Sequence, residues 1–439
     1  MNDTTHESSS GRIARAVTLW MVAALAGAAG MYLVRQGSPR VSVDAAHEAS
    51  EARPAEVQTP GAAQQSPPGT VKYTPPPDRS PGMQAFDKAL LYIAAQQETD
   101  GHWSARKTGA AEEYCNENGD IALTAVGTYA LMSAIAGDKP DAALVDGSKR
   151  GMRWLRAKVR DDGSVIAKDK GGPVVVAQIF TSLAFLQAAT MSPREDLLSL
   201  SGTTARYAFR EMMAKSGGFG EKPGDEHALL DVSSLGQFLY AMAFTSGIRF
   251  STTEEELSKL ERELQIEKSF QSALRKMRVS HEKKDGVFRM STAGGEADFD
   301  ATVVALLGQL LGNIPPKEYT PGFGFILGTP DTNGEFPGPG EKLAWGKEGE
   351  GYRALPMWLG TLGIALHGDK TQEYRAWRSA FEETVLKHQL ADGSWPVAGS
   401  DARYGKIWRT ALTSFSLNLL NPAPPPKPPP PDEKPGEKK

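Results

Sequence analysis

A Gly-centred tetrapeptide returns along the whole length of this chain. It reads Asp100-Gly101-His102-Trp103 at its first appearance and Asp392-Gly393-Ser394-Trp395 at its last. Between them lie Asp162-Gly163-Ser164-Val165, Ser216-Gly217-Gly218-Phe219, Asp285-Gly286-Val287-Phe288 and Asn333-Gly334-Glu335-Phe336. A recurrence every ~50–70 residues is the mark of an array of supersecondary units rather than of one irregular domain. Each copy follows a helix-like stretch and precedes, after a polar loop, a second and more apolar one.

The helical stretches alternate in character. Met83 to Gln97 places Phe86, Leu90, Ile93 and Ala94 on one face, whereas Ile121 to Ala136 is apolar nearly all round. The same alternation runs through Leu144–Val159 and Pro173–Ala189, Thr204–Ala214 and Leu230–Phe244, and Thr253–His281 and Phe299–Leu311. It ends with Pro316–Leu327 and Tyr352–Leu366, then Gln372–Gln389 and Lys406–Leu420. An amphipathic helix belongs on an outer layer and an all-round apolar one in the interior. The fold class read from this pattern is all-α: an (α/α)6 toroid of six outer/inner helix pairs spanning residues 83–421.

Composition shifts mark what lies outside that unit. Residues 1–15 are a short polar tail. Residues 16–34 are apolar, with Trp20 and Tyr32 near the ends, and are long enough for a transmembrane signal-anchor helix. A cleaved signal peptide is the competing reading, because Ala24-Leu25-Ala26 resembles a cleavage site. Residues 35–82 form a Pro/Ala-rich disordered linker, and residues 422–439 a Pro-rich charged tail. The tail is either a solvated polyproline II segment or a docking ligand. A short N-terminal tail before a large domain favours a single-pass protein with its bulk extracytoplasmic, periplasmic or at the cell surface. The net charge of −4 gives no basic field for nucleic acid. The one cysteine, Cys115, excludes an internal disulfide and a multi-cysteine zinc site. No cofactor motif is present, and the chain is expected to be a monomer that meets a membrane through its N-terminal helix and an unknown ligand or protein partner.

The first copy of the repeat carries a resemblance. Lys88-Ala89, Tyr92-Ile93, Gln97, Gly101 and Trp103 fall in the arrangement of the QW repeat of the squalene cyclases, within the prenyltransferase and squalene-oxidase repeat superfamily. The last copy keeps Gln389, Gly393 and Trp395. The second keeps Gly163 but has Val159 and Val165 for Gln and Trp, and Gly217, Gly286 and Gly334 are followed only by Gly-x-Phe-like remnants. The resemblance implies a squalene-cyclase-like toroid. It gives the Gly a helix-capping role at positive φ, the aromatic a wedge between outer helices, and the Gln a backbone-capping role.

The superfamily's chemistries each predict residues. Class II cyclases protonate an alkene with the middle Asp of an Asp-x-Asp-Asp-Thr motif. Asp298-Phe299-Asp300-Ala301-Thr302 is similar to it, which puts the acid on Asp300 with Asp298 beside it, but Ala301 replaces the last Asp. Asp300 equally suits an ordinary helix N-cap, aligned with Asp120 and Asp231 at other inner-helix starts. The Asp, Cys and His zinc set of protein prenyltransferases has no counterpart around Cys115, so no metal is expected. The starts of the inner helices gather Asp120, Asp231, Asp298, Asp300, Tyr352, Trp408 and Arg409 at one rim, with His227 on a loop above them. Acidic, basic and aromatic groups converging on a concavity make a ligand site, and carboxylates there also suit terpenoid-cyclase-like or polysaccharide-directed chemistry. The alternative is that the acids are caps, with Arg409 their solvated partner.

Overall fold

The computed structural model describes residues 79–135, 141–167, 170–192, 194–245, 265–278, 286–296, 298–312, 314–333, 335–343, 353–397 and 399–421. The anchor, linker and tail expected at 16–34, 35–82 and 422–439 lie outside these residues or, for 79–82, at their edge. Tyr352, Gly334 and most of the fourth outer stretch also lie outside. Among the described residues the fold is all-α, with isolated β-bridges only.

The apolar helices are α2 (Glu117–Ile135), α4 (Val174–Met191), α6 (Leu230–Thr245), α8 (Phe299–Leu311), α11 (Ala354–His367) and α13 (Lys406–Leu420). Each packs on the next, and α13 returns to α2, so the interior helices close on themselves. Outside them lie α1 (Pro81–Ala95), α3 (Ala142–Arg156), α5 (Glu195–Glu211) and α7 (Ile266–Met277), then the short α9 (Pro316–Tyr319) and α10 (Pro321–Leu327), and α12 (Gln372–His388). The outer helices seat mainly against the inner helix that precedes them: α3 on α2, α5 on α4, α10 on α8, and α1 on α13. Among the described residues α4 alone is long and apolar enough to cross a membrane, and 83% of it is buried inside the ring. Its hydrophobicity is that of a core helix.

Local sequence sets the helix starts. Ser80 accepts a bond from Met83 N–H ahead of Pro81, and Asp141, Asp298 and Thr371 cap α3, α8 and α12 in the same way. The third outer helix begins at Glu195, well before the expected Thr204. Glu195 and Asp196 place negative charge on its first turn, and only Leu197 and Leu200 of that turn reach the core, so the apolar period is weak there. The outer stretch at Pro316–Leu327 is broken at Pro321, as its prolines require.

The repeat glycines prove to be joints rather than helix caps. α1 ends at Ala95 with Gln96 in right-handed conformation, and Gly101 lies beyond it in a turn at φ 102°. A Cβ there would sit 2.6 Å from the Arg150 carbonyl oxygen of α3. Gly163 meets Thr203 on α5 in the same way, Gly217 meets Ser269 on α7, and Gly286 meets Gly322 on α10. Gly393 presses on the Lys88 carbonyl of α1, which closes the series. Close approach at positive φ is what only glycine allows here.

The aromatic and the Gln behave as the repeat implies. Trp103 and Trp395 are wholly buried, and each donates its indole N–H to a carbonyl ten residues upstream, Ile93 at 2.7 Å and Val385 at 2.8 Å. Trp103 is wedged between α1, Gly127 of α2 and Gly151 of α3. Gln97 spans from the Gly101 carbonyl to Gly147 of α3, and Gln389 from Gly393 to Ala85 of α1. Where Val159 replaces the Gln, Gln178 of α4 does the same work, bonding Gly163 and Thr204 carbonyls and accepting from Val165 N–H.

Candidate functional site

The inner-helix starts are in register through one more contact. The amide two residues after each joint glycine donates to a side chain on the following inner helix. Trp103 donates to Thr124, Val165 to Gln178, Phe219 to Ser233, Phe288 to Thr302 and Trp395 to Thr410. Ser233 and Thr302 match, so Asp231 and Asp300 are equivalent positions. Thr124 shows that Asp120 is two residues out of that alignment. Asp120 accepts from Ala105 N–H at 2.7 Å within the first loop and does not line the rim concavity.

That concavity has a volume of about 210 Å³ and lies where α4, α6, α11 and α13 begin. Its polar lining is Tyr114, Glu221, Asp231, Arg353, Arg403 and Tyr404, with Lys222, Ser400 and Asp401; its apolar lining includes Val176, Leu355 and Trp408. Of the residues expected at the rim, Asp231 and Trp408 are there. Arg409 is not a solvated partner: it is wholly buried, 3.7 Å from the Asp401 carboxylate. His227 is exposed on its loop and outside the lining. Tyr352 lies outside the described residues.

Asp298 and Asp300 exchange the roles expected of them. Asp298 is the N-cap of α8, accepting from Ala301 N–H at 2.8 Å. Asp300 turns away to Arg353, which precedes α11, and accepts from its Nε at 2.5 Å. The Arg353 guanidinium also stands 3.7 Å from Asp298. Burial pushes the Asp300 carboxyl above the usual carboxylate range, with the Arg353 charge opposing the shift. Asp401 is more deeply held: it accepts from Ala354 N–H at 2.8 Å, capping α11 from the far loop. Burial raises its pKa to about 6, against the pull of Arg409. One carboxylate thus ties the loop carrying Arg403 and Tyr404 to the helix start carrying Arg353.

Aromatic contacts build the wall and the floor. Tyr404 stacks on Trp408 with ring centres 4.3 Å apart, and Arg403 lies over both Tyr404 and Tyr114. Below, Phe180 of α4, Phe238 of α6, Trp358 of α11 and Trp408 and Phe415 of α13 interlock at centre-to-centre distances of 5.2–5.8 Å. Tyr129 of α2 joins through Phe415. The middle of the ring at this level is plugged with rings, and the concavity is a shallow dish above the plug.

Sequence reasoning missed Tyr114, Glu221, Arg353, Asp401, Arg403 and Tyr404. Arg353 had a local signal, a lone cation directly before an apolar helix start. Tyr114 and Tyr404 sit on loops at opposite ends of the chain and meet only through ring closure. Among the described residues no cluster of His, Cys, Asp and Glu is arranged to hold a metal ion.

No known family model matches the chain, and no curated protein is similar enough to count as a relative. Solved structures are similar. Cellobiose 2-epimerase from Spirochaeta thermophila matches at 13% identity with a TM-score of 0.50, covering 78% of this chain and 96% of that one. A type II terpene cyclase from Scytonema matches at 14% identity and TM-score 0.47, over 78% and 97% of the two chains. A protein from Actinoplanes matches at 13% identity and TM-score 0.44, over 78% and 99%. The likeness to the epimerase shows the fold alone: an α/α toroid.

Proposed function

We propose that the protein is a membrane-tethered, extracytoplasmic (α/α)6 toroid that binds a ligand in the dish at its inner-helix rim. The observation that carries the ligand reading is the convergence there of Arg353, Asp231, Arg403, Tyr404 and Trp408 from three inner-helix starts and their loops, above a cluster of interlocked rings. The joints repeat, whereas of these residues only Asp231 has a counterpart, Asp300, so the repeat alone does not require the set. The apolar run at 16–34 supports the tether, and the Pro-rich segments on either side of the toroid support disordered arms.

A second reading is an enzyme that uses the rim carboxylates. Asp231, Asp298 and Asp300 all act on Arg353, which gathers the acids such chemistry needs. Of the substrates considered, a saccharide suits the shallow dish better than an isoprenoid, which would need the space that Phe180, Phe238 and Trp358 fill. Asp300 is also bound to a guanidinium rather than presented to an alkene.

The test is a thermal-shift screen of the full chain in detergent against polar small molecules, repeated on Arg403→Gln. A ligand whose stabilising shift disappears in the variant supports the rim. Hits that all survive the substitution would place binding elsewhere. A reporter fused after residue 439 and active only outside the cytoplasm checks the topology, and a silent reporter on a well-expressed fusion contradicts it.

A further inference from the structure

Among the described residues, two buried N–H donors at the dish have nothing to donate to. Trp408 is wholly buried, lines the dish, and its indole N–H has no partner among these residues; Arg403 Nε–H, on the same wall, also has none. Three other wholly buried indoles are bonded: Trp103 and Trp395 reach main-chain carbonyls, and Trp377 reaches the Thr361 hydroxyl. A buried donor left unpaired costs about 1–3 kcal/mol, so two on one wall call for acceptors brought from outside.

The charges of the dish do not call for an ion. Its lining carries Lys222, Arg353 and Arg403 against Glu221, Asp231 and Asp401. Arg353 is engaged by Asp300 and Asp298, Arg403 by Glu221, and Asp401 by Ala354 N–H and Arg409. A charged ligand would have to break a pair at Arg353, Arg403 or Asp401; Lys222 and Asp231, opposite in sign, are the lining charges with no ion pair among the described residues. Asp231 is different: one oxygen takes the Val232 amide of its own helix, and no side-chain cation stands within ion-pair distance among the described residues, which leaves acceptor capacity toward the dish. Val176, Leu229, Val232 and Leu355 supply an apolar floor. At about 210 Å³ the dish is smaller than the ~300–1,000 Å³ of pockets for drug-sized ligands and suits a small one such as a single sugar ring.

We propose that the dish takes the end of a neutral saccharide, with Trp408 Nε1–H and Arg403 Nε–H donating to its oxygens and Asp231 accepting from a hydroxyl. This rests on the rim as the binding site and adds the ligand's class. Neutrality follows from the closed ion pairs, the oxygen acceptors from the orphan donors, and the ring from the apolar floor. No bond is made or broken in the recognition itself.

The test is a titration of the full chain in detergent with glucose, cellobiose, glucuronate and glucosamine, followed by saturation-transfer NMR on the sugar protons. Trp408→Phe keeps an aromatic ring against Tyr404 but removes the pyrrole with its N–H and lowers stability, so binding is compared at a temperature where both proteins are fully folded; Asp231→Asn keeps the shape while removing the charge. The expected result is binding of the neutral sugars over both charged ones, weakened by about tenfold or less in Trp408→Phe, the worth of one hydrogen bond. Circular dichroism should be unchanged in both variants. Binding of glucuronate or glucosamine alone, still weakened by Trp408→Phe, would overturn the neutral-saccharide class while leaving the rim as the site. Neutral-sugar binding untouched by Trp408→Phe, Arg403→Gln and Asp231→Asn would overturn the site as well. No transfer to any of the four at millimolar concentration overturns the saccharide and leaves the rim to the wider screen.

Discussion

The joints and the rim are built from the same loops and obey different rules. At the joints, Gly101 and Gly393 repeat one geometry on opposite sides of ring closure, Gln97 and Gln389 make the same pair of bonds, and each Trp finds a carbonyl. Most polar groups there are satisfied, with Thr128 Oγ1 and Arg150 Nε as exceptions. At the rim the bonding differs from one helix start to the next, four carboxylates and three guanidiniums are crowded together, and two donors have no partner among the described residues. Structure is paid for in the joints and spent at the rim, which is how a fold carrying a grafted site looks.

The comparison breaks most easily at Trp103. Trp103→Ala empties a wholly buried wedge between three helices and should cost about 3–5 kcal/mol, read by urea denaturation; a loss under one kcal/mol would show that the joint is not a packing element. Gly393→Ala comes next. A Cβ at φ 90° against the Lys88 carbonyl should cost about 3 kcal/mol, and the loss should appear as opening between α12 and α1 in hydrogen exchange.

The rim contributes a pH dependence of its own. Asp401 in the folded protein titrates near 6, above its unfolded value of 3.8. Its raised pKa means that the fold prefers it protonated. Its favourable contribution is therefore complete below the unfolded value and is lost as pH rises through about 6. The shift of about two units corresponds to about 3 kcal/mol at most. The difference in unfolding free energy between the wild type and Asp401→Asn, followed from pH 4 to pH 8, should change in that direction; a flat or opposite difference would show that Arg409 outweighs burial. Gln97→Ala is a smaller probe of the joints. Losing two bonds to carbonyls should cost about 1–2 kcal/mol and leave the rim intact.

The same contrast explains what could be read in the sequence. The joints were legible because an array writes its rule several times: Gly101, Trp103, Gln389 and Trp395 stand at fixed offsets. Even so the Gly role was misassigned to helix capping, since sequence spacing shows a turn but not the backbone pressed against it. Gln178 shows a substitution the linear pattern hides, because the missing Gln returns from a different helix. At the rim, Asp231 and Trp408 were found from their place at helix starts. Asp300 was read as an acid or an N-cap, whereas Asp298 is the cap and the partner of Asp300, Arg353, was missed. Arg409 was taken for a surface charge because nothing in its local sequence reveals that the ring closes over it. Tyr114 and Tyr404 depend on a contact between chain ends that no periodicity encodes.

The most direct test of the division is the rise in melting temperature that cellobiose gives to the wild type, to Gln97→Ala and to Trp408→Phe, all as full chains in detergent. A ligand that binds only the folded state stabilises it by mass action. The account predicts that both variants melt lower than the wild type, that Gln97→Ala keeps the full ligand-induced rise, and that Trp408→Phe loses most of it. A rise that survives in Trp408→Phe and vanishes in Gln97→Ala would contradict it.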